Sequence, residues 1–175
     1  EGNGLAGTLP TELGHLSDLK FLYAEQGNMG GTIPTELGQL SNLLVLDLDY
    51  NYLTGPAIPP ALYNLWSLVQ LDVNDNLLTG TIDSAIGDLK NLRFLQVGRN
   101  PITGTIPEEL GTLNLVLGGF ENTLLTGIMP SSVCGDPSPG QLVADCAGEI
   151  PRLVCDCCSQ CLETEQLAES NFNDR

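Results

Sequence analysis

Residues 68–89 read LVQLDVNDNLLTGTIDSAIGDL, and this stretch is one copy of a unit that recurs along the chain. Five copies share a leading leucine and begin at Leu19, Leu43, Leu68, Leu92 and Leu115. The intervals between these starts are 24, 25, 24 and 23 residues. A period of this length predicts a solenoid, in which each copy forms one coil and buries its apolar face against the neighbouring coils.

Each position of the repeat, numbered from its leading leucine, has its own physical role. Apolar residues at positions 1, 4 and 6, such as Leu68, Leu71 and Val73, predict a short strand with one buried face. Asparagine at position 9, such as Asn76, can bond the backbone where the chain leaves the strand and can bond its equivalents in neighbouring coils. Glycine at position 13, such as Gly80, suits a corner with positive φ. The Ile-Pro or Leu-Pro step that follows in most copies favours a short helical turn.

This pattern resembles the plant-type subfamily of leucine-rich repeats, whose consensus is LxxLxLxxNxLxGxIPxxLGxLxx. The resemblance covers residues 1–133, and the copy that precedes Leu19 lacks its strand. It implies an α/β fold: a right-handed solenoid with a parallel β-sheet on its concave face and short helical or 3-10 segments outside. The cysteine-rich segment at residues 134–161 resembles the tails of many such proteins from diatoms and related algae. We therefore expect a solenoid at 1–133, a cysteine-rich cap at 134–161 and a polar tail at 162–175.

Departures from the consensus predict local irregularities. Gly27 and Thr123 stand where asparagine is expected, so the row of asparagines should be broken near both ends. The second copy has an extra residue in Pro56-Ala57, which should bulge its turn. Gly118 occupies a core position, and we expect looser packing there because a missing leucine removes roughly 2 kcal/mol of burial.

All six cysteines lie in the expected cap: Cys134, Cys146, Cys155, Cys157, Cys158 and Cys161. An even number in a short segment predicts disulfides, although six cysteines allow fifteen pairings and the sequence does not choose among them. Adjacent Cys157 and Cys158 must bond different partners. Zinc is the alternative, because the last four cysteines have the thiolate density of a zinc site. The leftover cysteines and the resemblance of the tail favour disulfides, and hence an extracellular or organelle-lumenal, oxidising compartment.

The charge of the chain limits its partners. The formal net charge is −16, from 22 acidic and six basic residues among 175. We expect neither nucleic acid nor an anionic membrane surface as a partner, because both require a basic face. No apolar run approaches the ~20 residues that span a bilayer, so we expect no membrane insertion. A protein or peptide with a basic patch fits this charge, although acidic residues can also serve solubility alone.

Strand positions 5, 7 and 8 should point away from the core and form rows on the concave sheet, because neighbouring strands lie about 4.8 Å apart. Four aspartates and two tyrosines fall on this face, and aromatic and charged side chains on a rigid sheet suit the capture of a protein or peptide. The predicted binding residues are Tyr23, Glu25, Asp47, Asp49, Tyr50, Asp72, Asp75, Gln96 and Arg99. The alternative interpretation is an ordinary solvated strand face, on which Asp75 and Arg99 form a weak surface ion pair.

Two other roles compete with recognition. The strand around residues 21–23 has no strand before it, so the chain can also be a peripheral subunit of a larger assembly, membrane-associated or not, that covers this uncapped edge. Threonine rows at positions 12 and 14, such as Thr79 and Thr81, resemble the flat faces of ice-binding solenoids. Threonine is, however, ordinary at these positions of the repeat and favours strands.

The sequence indicates no enzyme. His15 is the only histidine and lies on the helical side of its coil, so no nucleophile–base pair can be built from it. Paired carboxylates such as Asp47 and Asp72 lie on an open sheet, where we expect nothing to raise one pKa above the other. Phosphate-binding, dinucleotide-binding and metalloprotease motifs are absent from the sequence. We therefore expect a non-catalytic protein with no cofactor and no metal ion.

Overall fold

The structure is a computed structural model that describes residues 6–135, 139–147 and 152–163. The copy that precedes Leu19 is described from Ala6, and the expected polar tail lies outside the described residues from residue 164 onward. Within the described ranges, the structure contains no helix whose length and apolar character would let it cross a membrane.

Seven parallel strands form one continuous sheet, which we call the long sheet. Each of the five complete repeats contributes one strand, and the cap contributes the last two. In chain order the strands are Phe21–Tyr23, Val45–Asp47, Gln70–Asp72, Phe94–Gln96, Leu117–Phe120, Gln141–Ala147 and Gln160–Glu163. The register places Leu46, Leu71 and Leu95 side by side, as the repeat spacing predicts. The expected solenoid with a parallel sheet is therefore confirmed, and the cap extends that sheet.

Short 3-10 turns form the helical part of the described coils. Their bounds are Thr11–His15, Thr35–Gln39, Pro60–Asn64, Ser84–Asp88 and Glu108–Thr112. Proline precedes four of the five turns, and its fixed φ suits the entry to a helical segment. In the remaining turn Asp83 replaces this proline, and its carboxylate accepts a hydrogen bond from the Ala85 amide at 2.8 Å. The aspartate therefore caps the turn that proline otherwise begins.

A second set of shorter strands pairs where each coil turns away from the long sheet. The pairs are Ala6–Thr8 with Asn28–Gly30, Thr54–Pro56 with Leu77–Thr79, Thr103–Gly104 with Leu124–Leu125, and Gly127–Ile128 with Leu153–Val154. The last pair joins the fifth repeat to the cap. The extra residue of the second copy is accommodated without a shift of register: Ala57 is buried, and its amide donates to the Thr79 carbonyl at 3.1 Å.

Buried leucines fill the core along the solenoid, and two side chains approach Gly118 closely. A Cβ at Gly118 would lie 2.8 Å from Leu142 Cδ2 and 2.9 Å from Phe120 Cε2. The expectation of looser packing is therefore wrong. The ring of Phe120 and the side chain of Leu142 occupy the space that a leucine fills in the other coils.

Three buried asparagines form the row expected at position 9: Asn51, Asn76 and Asn100. Asn76 Nδ2 donates to three backbone carbonyls of its own and the preceding coil at 3.0–3.2 Å, and its Oδ1 accepts from the Leu53 amide at 2.9 Å. The side chains thus link neighbouring coils through backbone groups. The hydrogen bonds of Asn76 go to the backbone and not to the neighbouring asparagines, which the sequence had suggested as further partners.

The cap contacts the fifth coil where this row of asparagines ends. Where Thr123 replaces asparagine, the carboxylate of Asp145 accepts hydrogen bonds from the amides of Asn122 at 2.9 Å and Thr123 at 3.1 Å. Asp145 is 3% exposed. The row of asparagines therefore ends at Asn100, as the sequence predicts, and Asp145 binds the corner of the fifth coil instead.

Three disulfides hold the cap: Cys134–Cys157, Cys146–Cys161 and Cys155–Cys158. The predicted disulfide cap is confirmed, and adjacent Cys157 and Cys158 bond different partners as expected. The zinc alternative is wrong because every cysteine is engaged in a disulfide and none remains as a thiolate ligand. Structural disulfides are characteristic of an oxidising compartment.

Candidate functional site

The outward face of the long sheet carries three rows of side chains. The middle residue of a strand points into the core and its two neighbours point outward: Leu46 is fully buried, whereas Val45 and Asp47 are partly exposed. We name the rows by their position in the repeat. Row 3 contains Phe21, Val45, Gln70, Phe94 and Leu117; row 5 contains Tyr23, Asp47, Asp72, Gln96 and Gly119; row 7 contains Glu25, Asp49, Asn74, Gly98 and Glu121.

An acidic cluster lies at the centre of this face. One carboxylate oxygen from each of Asp47, Asp49 and Asp72 lies within 4.8 Å of the others. Asp72 is only 6% exposed, and its carboxylate accepts hydrogen bonds from the Asn74 amide at 3.1 Å and from the Gln96 side chain. The structure therefore brings together four of the nine predicted binding residues on adjacent strands.

Burial raises the pKa of two of these carboxyl groups. Removal from water raises the pKa of Asp72 to about 7, and the charges of Asp47 and Asp49 add to this effect. Burial, followed by the charges of Asp47 and Glu25, raises the pKa of Asp49 to about 6. The expectation that an open sheet leaves the carboxyl groups alike is therefore wrong. Since an adjacent cation favours the ionised form, the cluster is suited to receive a positively charged group.

Row 7 is a line of hydrogen-bond acceptors. Four of its side-chain oxygens are buried yet accept no hydrogen bond from any described residue: Glu25 Oε2, Asp49 Oδ1, Asn74 Oδ1 and Glu121 Oε2. The four side chains are themselves partly exposed. A buried acceptor without a donor costs about 1–3 kcal/mol. Asn74 and Glu121 are not among the predicted binding residues, although both occupy the same repeat position as Asp49.

Two stacked aromatic rings lie on the first strand of the long sheet. The ring centroids of Phe21 and Tyr23 are 6.5 Å apart with planes 5° from parallel, and the residues are 51% and 53% exposed. Asp47 pairs with Tyr23 in register, so the acidic cluster begins one strand away. Phe21 is not among the predicted binding residues, because these come from positions 5, 7 and 8 alone. The signal was present, since alternation places both neighbours of Leu22 outward.

Three predicted binding residues lie at the corner after the strands. Tyr50, Asp75 and Arg99 have left-handed backbone, with φ between 50° and 52°, which is uncommon for residues other than glycine. The carboxylate of Asp75 is nearly enclosed and lies 3.8 Å from Arg99 Nε. Tyr50 and Arg99 remain exposed. The structure thus places Asp75 in the corner itself, while Tyr50 and Arg99 border the outward face.

The threonine rows lie exposed on the shorter strands and their flanks. Four position-12 hydroxyls donate to the carbonyl of the corner glycine one coil earlier, at 3.2–3.4 Å; the donors are Thr54, Thr79, Thr103 and Thr126. Position-14 methyl groups cover the next corner glycine: a Cβ at Gly104 would lie 2.9 Å from Thr81 Cγ2. These rows therefore link successive coils, and they are interrupted at Gly30, Pro56 and Ile128.

A cleft of about 720 Å³ is lined by residues of the fourth repeat, the fifth repeat and the cap. Among the described residues that line it, Cys134 and Cys157 are joined in a disulfide, and neither a histidine nor a lysine is present to activate Ser131. His15 lies exposed in the first 3-10 turn.

Comparison with known proteins identifies the class of the fold. Residues 67–89 and 91–113 match the family model described as Leucine Rich Repeat. A chain of the BIR3–SERK2 complex from Arabidopsis thaliana is 31% identical, with 75% of this chain and 71% of that chain covered and a TM-score of 0.60. The chain belongs to the leucine-rich-repeat family.

Other solved structures share the fold. The plant peptide hormone receptor RGFR1, solved in complex with RGF2, is 31% identical over 80% of this chain, with a TM-score of 0.76. This chain spans 24% of the length of that receptor chain. A plant ice-binding protein is 29% identical over 89% of this chain and 54% of its own, with a TM-score of 0.72. No curated protein sequence matches the chain. The family match and these structures indicate no enzymatic family.

Proposed function

We propose that this chain is a non-catalytic recognition module that binds a protein or peptide on the outward face of the long sheet. The observation that carries the proposal is the acidic cluster of Asp47, Asp49 and Asp72, set on adjacent strands beside the exposed rings of Phe21 and Tyr23. Rigid strands fix these groups without a further loss of backbone entropy on binding. The peptide-bound RGFR1 structure supports the proposal, because that receptor shares the fold and 31% of its residues over the matched region.

The charge of the face favours a basic partner. Three carboxylates share a small volume, and the chain carries a net charge of −16. Lys or Arg side chains of a partner satisfy such a cluster, and the surrounding negative field accelerates their approach. The three disulfides and the receptor-like fold support an extracellular or lumenal location.

The test is a screen of a random peptide library with the purified, disulfide-intact chain as bait. We expect the selected peptides to be enriched in Lys and Arg and to bind more weakly as salt is raised. Asp47→Lys should weaken their binding at least tenfold. Asp88→Lys is the matched control, because Asp88 is exposed in a 3-10 turn and lies outside the cluster. Equal binding of the selected peptides to both variants would remove the acidic cluster from the site.

Ice binding is the second candidate, and two observations favour it. The threonine rows are exposed, and the plant ice-binding protein is similar over 89% of this chain. The interruptions at Gly30, Pro56 and Ile128, however, leave Thr79, Thr81, Thr103 and Thr105 as a small contiguous block. Thermal hysteresis that disappears in Thr81→Tyr but persists in Asp47→Lys would establish this candidate. Hysteresis indistinguishable from zero in the wild-type chain would dismiss it.

A further inference from the structure

The outward face of the long sheet has two chemically different edges. Row 3, at the start of the strands, is apolar except for Gln70. Row 7, beyond their ends, contains only side-chain acceptors apart from Gly98. The core is built from positions 1, 4 and 6, and its leucines lie on the opposite face of the strands. The chemistry of the two edges is therefore available for an external ligand.

Row 3 forms an apolar edge that remains partly in water. The register places Phe21 beside Val45 and Phe94 beside Leu117. Phe21 is half exposed, and the other three are partly exposed. Covering this edge with apolar side chains of a partner removes it from water, which is the dominant favourable contribution to most protein association.

Row 7 forms a nearly continuous line of acceptors across five strands. The carboxylate of Glu121 leans over Gly98: a Cβ at Gly98 would lie 2.8 Å from Glu121 Cδ. Glu121 therefore fills the gap that the glycine leaves. The buried oxygens of Asp49 and Asn74 have no donor among the described residues, and Arg99 at the neighbouring corner lies against Asp75. Lys and Arg are the complementary partners, since they present three and five N–H donors and no acceptor.

We propose that this face binds an amphipathic segment of a partner protein that runs across the strands, with apolar side chains over row 3 and Lys or Arg side chains over row 7. The inference rests on the proposed function and adds the orientation and the two-sided chemistry of the ligand. Four residues separate the rows along a strand, so the edges lie roughly 13 Å apart. A helix with its side chains is about 10–12 Å across, so one segment reaches both edges.

The test uses the peptide that binds most tightly in the library screen. Phe94→Gln probes row 3 and Asp49→Asn probes row 7; Trp66→Gln and Asp88→Asn are the matched controls, since both residues are exposed and lie outside the three rows. We expect each row variant to weaken binding at least fivefold and each control less than twofold. In double-mutant cycles, Phe94 should couple only to apolar peptide residues and Asp49 only to basic ones. Phe21→Gln, at an exposed position, replaces Phe94→Gln if that variant fails to fold.

The outcomes separate this inference from the proposed function. A peptide that loses affinity for Asp49→Asn but binds Phe94→Gln and Phe21→Gln as well as wild type overturns the two-edged ligand and leaves recognition by the acidic cluster intact. A peptide whose affinity is unchanged by every row variant overturns both. Coupling of Phe94 to basic peptide residues would reverse the proposed orientation and so contradict it.

Discussion

Asp49 and Asp72 face each other on adjacent coils, with carboxylate oxygens within 4.8 Å. Burial raises the pKa of Asp72 to about 7 and that of Asp49 to about 6, whereas the unfolded-state pKa of aspartate is about 3.9. The folded state therefore binds more protons than the unfolded state between about pH 4 and pH 7. The contribution of these two groups to stability should be greatest below this window and should fall as the pH rises through it.

The melting temperature of the disulfide-intact chain at pH 5 and pH 8 measures this effect. We expect a higher value at pH 5. Asp72→Asn keeps the size of the side chain and removes its titration, so it should melt higher than wild type at pH 8 and lose much of the pH dependence. Asp88→Asn, which removes an exposed charge, should keep the wild-type difference. A wild-type melting temperature that is higher at pH 8 would contradict the assignment.

Asp145 should make the principal side-chain contribution to the junction of the cap and the fifth repeat, in addition to the paired strands. Asp145→Ala leaves the backbone amides of Asn122 and Thr123 without their acceptor, and bonds to a charged group contribute about 1.5–3 kcal/mol each. We expect the free energy of unfolding to fall by about 3 kcal/mol, measured by urea denaturation with the disulfides intact. Asp145→Asn, which retains one acceptor oxygen, should lose less. An unchanged urea midpoint in Asp145→Ala would show that its two hydrogen bonds add no stability to the paired strands of this junction.

Asn76 should be a major determinant of coil-to-coil stability. Its side chain serves three carbonyls and the Leu53 amide, all within the buried row, so Asn76→Ala should cost about 3 kcal/mol. Asn91→Ala is the matched control. Asn91 is exposed and makes one side-chain hydrogen bond to the backbone, to the Trp66 carbonyl at 2.7 Å, so its loss should cost about 0.5 kcal/mol. Similar losses in the two variants would mean that the asparagine row does not bind the coils together.

The three disulfides should contribute unequally to stability. Cys155–Cys158 spans a sequence separation of only 3, whereas Cys134–Cys157 spans 23 and Cys146–Cys161 spans 15. In the chain-entropy model the short loop contributes about 1.5 kcal/mol and each of the longer loops about 3 kcal/mol. Replacing both cysteines of one pair with serine, followed by thermal unfolding, should give the smallest loss for the 155/158 pair. If replacing the 155/158 pair lowered the unfolding temperature more than replacing either of the other pairs, this ranking would be contradicted.

Much of the fold follows from the repeat alone. Because the spacing of the leucines fixes which residues lie side by side, the sequence predicts the register of Leu46, Leu71 and Leu95 and the shared face of Asp47 and Asp72. The even number of cysteines predicts the disulfide cap. These predictions depend on the period of the repeat and on the even number of cysteines, and a single sequence shows both directly.

The remaining features depend on contacts between parts of the chain that share no period. Asp145 lies in the cap, outside the repeat, so nothing in the sequence predicts that it binds the amides of Asn122 and Thr123. The raised pKa of Asp72 depends on how deeply its carboxyl group lies between strands. The sequence predicts a packing defect at Gly118, because it does not show that Phe120 and Leu142 fill the space beside this glycine. The two row-7 residues that are absent from the predicted binding residues are Asn74 and Glu121. The repeat position that they share with Asp49 is sufficient to predict that they lie on the same face.

Hydrogen–deuterium exchange with and without the selected basic peptide tests the central claim most directly, because it maps the binding surface without any substitution. The account predicts that the peptide slows amide exchange in residues 45–49, 70–74 and 94–98, where the three central strands carry the acidic cluster and the two edges. Slowed exchange confined to residues 77–81 and 103–106 on the threonine rows, or to residues 128–134 beside the cap, would contradict it.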